Sequence, residues 1–146
     1  MSINTCSGAI SLSRELENQA ATFYTELSQR FELNKDLFIG FANENLKFVK
    51  QIERAYYGVI TDAIEGCFAF NLNEEEYHVK TSLSEKMTSS DAVAAALKIE
   101  ENLLNFYQTA AEQSKHLMAD VPRSFNLVAK KRTERIPKLK ALLDAK

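Results

Sequence analysis

Apolar positions along this chain recur at spacings of three, four and seven residues, and they do so in four separate stretches. That spacing lines side chains along one face of an α-helix. The first stretch runs from about Ser7 to Arg30 and the second from about Lys35 to Glu65. The third opens at Ser90-Asp91, a good N-cap, and continues to about Met118. The fourth opens at Pro122, which suits a first helical turn, and runs to near the C-terminus. At about 1.5 Å per residue, each helix is on the order of 35–45 Å long, a length that belongs to bundles.

The connections refine this into a topology. A few residues around Leu33-Asn34 join the first two helices, and Ala119-Asp120-Val121 join the last two. Short links make antiparallel neighbours. Between the two hairpins lies a crossover of roughly 24 residues, Gly66 to Ser89, in keeping with the long connections known in bundles. It holds the acidic run Glu74-Glu75-Glu76, the apolar Phe68, Phe70 and Tyr77, and room for a short helix near Asn73 to His78. The hairpins also look like repeats. Leu16-Glu17 and Phe23-Tyr24 recur 83 residues later as Ile99-Glu100 and Phe106-Tyr107. Phe38, Phe41 and Ala42 match Phe125, Val128 and Ala129. The expected architecture is one all-α domain over residues 1–146, a four-helix bundle of two antiparallel hairpins.

Seven residues make almost two helical turns, so residues seven apart point in nearly the same direction. The resulting rows are Ile10, Glu17, Tyr24, Phe31; Phe38, Asn45, Ile52, Val59; Val93, Glu100, Tyr107, Ser114; and Phe125, Arg132, Leu139. A strongly polar residue interrupts each row, at Glu17, Asn45, Glu100 and Arg132. Phe48 and Arg135 lie three positions beyond the interruptions in the second and fourth helices. In a bundle of two hairpins these interruptions fall at similar height and form a buried polar layer.

Composition sets the chemistry around that layer. Hydrophobic residues make up 45% and charged residues 26%, and four Gly and two Pro leave long helices uninterrupted. A net charge of −2 suggests neither nucleic acid nor membrane as partner, and no apolar run is long enough to span a bilayer. The start of the chain has no signal-peptide pattern, and Cys6 and Cys67 make no zinc spacing, so a cytoplasmic protein with two free thiols is expected.

The E-x6-Y spacing at Glu17/Tyr24 and Glu100/Tyr107, with two hairpins and a long crossover, resembles the ferritin-like superfamily, in particular its rubrerythrin-like branch. The resemblance spans nearly the whole chain. It implies two single glutamates from the first and third helices and an E-x-x-H from each of the others, together holding two iron ions. Carried over, Glu17 and Glu100 match the single glutamates, and Tyr24 and Tyr107 match the tyrosines packed beside the site. The other motifs do not match: Asn45-Leu46-Lys47-Phe48 and Arg132-Thr133-Glu134-Arg135 stand where E-x-x-H belongs. Four of six implied ligands are missing, including both histidines.

A di-iron site needs carboxylates to balance its charge and imidazoles to set its geometry. Phe48 cannot ligate, neutral Asn45 is a poor substitute, and two guanidiniums repel iron. Arg132 and Arg135 are therefore expected to face Glu17 and Glu100 as an Arg–Glu network in place of the metal centre, with no cofactor bound. The competing arrangement has both arginines snorkelling to a solvated face while the glutamates stay near water. The competing function is a divergent di-iron oxidoreductase handling iron, oxygen or peroxide, with Glu17 and Glu100 among its ligands. A register error would bring in Glu44 and Glu134 as carboxylates, but both lie off the inward rows.

The remaining features are weaker. His116 suits a helix C-terminus, and His78 lies among acids in the crossover. From Val121 onward eight basic residues face two acidic ones, net +6, leaving −8 for the rest of the chain. Lys130, Lys131, Lys138 and Lys140 are accordingly a solvated face or a docking stripe for an acidic protein partner. Pro137 removes a backbone donor inside the fourth helix and should kink it just after Arg135. Tyr56-Tyr57 and the crossover aromatics favour self-association, and the resemblance implies a homodimer.

Overall fold

The computed structural model describes residues 2–32, 34–59, 70–78, 84–115 and 120–144. Four helices dominate it: α1 (Cys6–Arg30), α2 (Lys35–Val59), α4 (Ser89–Gln113) and α5 (Asp120–Asp144). A short α3 (Glu74–Tyr77) lies in the crossover, after strand β2 (Leu72–Asn73), which pairs antiparallel with β1 (Ser2–Ile3).

Local chemistry sets the helix ends. The Thr5 side chain caps α1 by accepting from the Gly8 N–H at 3.0 Å, and the Phe31 N–H returns to the Leu27 carbonyl. Asn34 adopts φ 65°, a left-handed conformation that asparagine tolerates, and its carbonyl accepts from Phe38 as α2 begins. Thr88 and Asp91 form a reciprocal capping box on α4, so that helix starts at Ser89, slightly ahead of the Ser90-Asp91 cap that the sequence suggests. It ends at Gln113, with Ser114 as its C-cap, short of the expected Met118. Helix α5 starts two residues ahead of Pro122, which still falls in the first turn, where no backbone N–H has an intrahelical partner. The helix continues through Pro137 to Asp144. The expected extension of α2 to Glu65 falls outside the described residues, as do Cys67 and His116.

Pairs of contacts give the helix directions. Tyr24, late in α1, packs on Phe38 and Phe41, early in α2, while Arg14 meets Glu53 at the opposite ends. Helices α4 and α5 are likewise antiparallel, with Tyr107 against Phe125 and Glu100 against Arg132. Across the hairpins, Tyr24 reaches Glu100 while Ser13 and Glu17 reach Tyr107, so α1 and α4 are antiparallel. Phe48 faces Arg132 and Glu44 faces Arg135, so α2 and α5 are antiparallel too. The four helices thus form a square in the order α1–α2–α5–α4. Helices α2 and α4 run in the same direction, and the crossover has to travel roughly 37 Å back along the bundle before α4 begins.

The crossover touches the bundle at defined points. Phe70 packs on Phe125 and its N–H donates to the Asn4 carbonyl. Asn71 exchanges hydrogen bonds with the Gln113 side chain. Tyr77 is buried against Phe106, 5.2 Å between ring centroids, and its carbonyl accepts from Asn102. Apolar side chains from all four long helices, joined by Phe70, Leu72 and Tyr77, make one contiguous core. Among the described residues, no helix is long and apolar enough to cross a membrane.

Candidate functional site: a buried arginine–glutamate layer

The core stripe on α5 reads Val121, Ser124, Phe125, Val128, Ala129, Arg132, Arg135, Leu139, all buried. Its three- and four-residue steps pass through both arginines without a break, so the helix carries two cations into the core. The same holds for Glu17 on α1, Glu100 on α4 and Asn45 on α2, each with no solvent exposure. Polar side chains from all four long helices therefore meet at one level of the bundle.

Arg132 sits at its centre. One terminal nitrogen contacts both oxygens of Glu100, at 2.6 and 2.7 Å, and the other donates to Glu17 Oε1. A single guanidinium thereby joins the two hairpins, spending its planar fork on two carboxylates. Arg135 adds a second cation: Nη1 donates to Glu100 at 3.2 Å, and Nη2 to the Phe41 carbonyl at 3.1 Å and to Glu44 at 2.8 Å. Glu44 is partly exposed, so the network runs from the sealed interior to the rim of the bundle.

The tyrosines close the layer symmetrically. Tyr24 on α1 donates to Glu100 at 2.6 Å, and Tyr107 on α4 donates to Glu17 at 2.5 Å. Each hairpin's tyrosine thus holds the other hairpin's glutamate. Ser13 donates in turn to the Tyr107 hydroxyl at 2.8 Å. The repeat seen in the sequence is a twofold relation in space, which Asn45/Arg132 and Phe48/Arg135 break.

Comparison of the chain with known protein families, curated proteins and solved structures finds no match. The chemistry of the layer has to be read from the layer itself.

Two glutamates and two arginines balance one another in the interior, with Glu44 adding a negative charge at the rim. Glu100 accepts from two arginines and a tyrosine, Glu17 from one of each. Burial pushes the Glu100 carboxyl up, but Arg132, Arg135 and the Tyr24 hydroxyl pull harder, and it ends below its ordinary value. At Glu17 burial outweighs Arg132 and Tyr107, and the carboxyl lies above its ordinary value. Burial and the adjacent carboxylates push both tyrosines well above theirs, so they remain hydrogen-bond donors. Arg132 loses by burial but gains more from Glu100 and Glu17, and stays charged.

Phe48 stands at one of the positions where the resemblance calls for histidine, and its ring serves the cations instead. Arg132 lies 5.2 Å and Arg135 5.3 Å from its centroid, while Phe41 receives Arg135 at 4.4 Å. Asn45 is brought into the layer, yet neither atom of its amide has a protein partner, and the same is true of Arg132 Nε. Neither arginine snorkels: Arg132 is fully buried and Arg135 is 2% exposed. Glu134 faces solvent and approaches Lys131 at 3.8 Å, far from the role that a register error would give it.

Sequence periodicity missed Glu44 and the Phe41 carbonyl. Glu44 points off the inward row, and only the reach of the Arg135 side chain draws it in.

Proposed function

We propose that this protein is a non-catalytic member of the ferritin-like superfamily, of its rubrerythrin-like branch, metal-free at the core site where that family holds iron. In this reading it acts in the cytoplasm as a structural or protein-binding module whose di-iron site has been replaced by ion pairs. The observation that carries the reading is the Arg132 guanidinium lying between Glu17 and Glu100.

The residues do not fit the two-metal group that such a family implies. Glu17 and Glu100 direct their oxygens at guanidinium and phenol donors, and both arginines bring fixed positive charge where dications would have to lie. Asn45 is neutral and Phe48 offers a ring. Moving Arg132 aside would leave the buried Glu17 carboxylate without its arginine, and Arg135 would still hold fixed positive charge against Glu100, so the protein's own packing works against metal entry.

A module acting through its surface has candidate faces on α2 and α5. Leu127, Leu46 and Ile39 are large apolar residues left exposed there, and Lys130, Lys131, Lys138 and Lys140 are exposed along α5. A homodimer, or an acidic protein partner on the lysine face, suits these features.

Metal analysis of protein purified without chelators after iron supplementation, read beside its near-ultraviolet absorption, tests the proposal. The expected result is no metal bound through the core carboxylates and no oxo-bridged iron absorption. Two iron ions per chain, lost in Glu17→Gln and Glu100→Gln, would instead establish a divergent di-iron oxidoreductase.

A further inference from the structure

A second group of ionisable side chains lies outside the core, where the crossover meets α1. Glu15 projects from α1, and Glu74 and His78 stand at the two ends of α3. Glu15 lies 59 residues before Glu74 and 63 before His78 in sequence, yet the ligand-type atoms of all three lie within 4.8 Å of one another. His78 Nε2 is 3.5 Å from Glu74 Oε1 and 3.9 Å from Glu15 Oε1. These separations exceed a hydrogen bond, which closes to roughly 2.7–3.2 Å. They approach the spacing of roughly 3.3 Å between ligand atoms held about 2.0–2.1 Å from a tetrahedral zinc ion.

We propose that Glu15, Glu74 and His78 form a binding site for a divalent cation of the zinc class, independent of the buried layer. One imidazole and two carboxylates make a borderline donor set with the charge to neutralise a dication. All three residues are partly open to solvent, which leaves a fourth position for water.

The elements that carry the ligands are held before any ion arrives. Asn73 caps α3 by accepting from the Glu75 N–H at 3.1 Å, and β2 is paired with β1 just ahead of it. Tyr77, the neighbour of His78, is anchored on Phe106 and Asn102. Glu15 stands beside buried Leu16 on α1. Pinning on both sides lowers the ordering cost of binding. A bound ion would tie the crossover to α1 and so brace the long connection between the hairpins.

Zinc titration of the full chain by calorimetry, with thermal unfolding alongside, tests this. The expected result is one zinc per chain, at least tenfold weaker binding in His78→Ala and Glu15→Gln, and unchanged binding in His116→Ala. Zinc should raise the melting temperature of the unmodified chain and not that of His78→Ala. Equal zinc affinity in the unmodified chain and both site variants, or no saturable binding at all, would overturn the proposal. Far-ultraviolet circular dichroism confirms folding, and Glu74→Gln replaces any variant that loses helicity. Because the readout is zinc lost with His78, its failure is separable from failure of the metal-free core, which is read through Glu17 and Glu100.

Discussion

The Tyr24 hydroxyl crosses from one hairpin to the other to donate to Glu100 Oε2 at 2.6 Å, and the same oxygen accepts from both arginines. Tyr107 and Glu17 repeat the contact in the reverse direction with a single arginine. The two carboxylates are therefore related by the repeat but held unequally, and that inequality is measurable.

Arg132→Ala should destabilise the fold by about 3–5 kcal/mol, because it strands the buried Glu17 carboxylate and leaves Glu100 with Arg135 as its one arginine. Arg132→Lys should not restore the loss, since one ammonium cannot span both in a planar fork. Urea denaturation measures both variants. A loss below about 1 kcal/mol for the alanine variant would show that the bridge contributes little.

Glu100→Gln should cost more than Glu17→Gln, and the two should change the pH dependence in opposite senses. Glu100 binds its proton more weakly in the folded state, so its stabilisation is present above the unfolded value near 4.5 and is lost as pH falls through the depressed one. Glu17 binds its proton more tightly when folded, so its contribution declines as pH rises from 4.5 through the raised value. Stability measured across the acid range should be shallower in Glu100→Gln and should lose the opposing slope in Glu17→Gln. Identical profiles for the two variants would contradict this ranking.

On the alkaline side, Tyr24 and Tyr107 should resist ionisation above the ordinary value of 10.0. The unfolded chain releases those protons first, so stability should fall as pH climbs past that value. Ultraviolet titration should show both phenols ionising only with loss of helicity. Their ionisation in the folded protein at ordinary pH would place them near water.

Restoring the implied ligands offers a direct test of the scaffold. The combined variant Asn45→Glu, Phe48→His, Arg132→Glu and Arg135→His should bind two metal ions per chain, counted by metal analysis. A folded variant that takes up none would argue against descent from a di-iron bundle.

Thr88→Ala should cost about 1 kcal/mol by removing one half of the capping box on α4. A change confined to a few tenths would show that Asp91 holds the helix start alone.

The core of the site was legible in the sequence because helices enforce a period. Glu17, Glu100 and Arg132 interrupt apolar rows, with Arg135 three positions on along nearly the same face, and an inward row has nowhere to put a charge except against another. What escaped is set by reach and by tertiary proximity. Glu44 lies off its row and is recruited by a long arginine, and Phe48 acts through its ring, which a ligand motif does not describe. The contact of His78 with Glu15 depends on where the crossover lands, and the two-residue pairing of β1 with β2 leaves no periodic trace. The start of α4 falls slightly ahead of the expected cap because Thr88, Ser89, Ser90 and Asp91 all suit a cap, and reciprocal bonding selects Thr88.

The bridge also bears on how the two hairpins fit together. Arg132 and Glu17 are 115 residues apart, whereas Arg132 and Glu100 share a hairpin. The second hairpin can neutralise its own glutamate as soon as it closes, but the first reaches docking with Glu17 unanswered. Association of the hairpins is then the step at which that charge finds its partner, and a docking offset by one heptad would press it against apolar side chains instead. The layer thereby favours the native register of the two hairpins over one shifted along their axes.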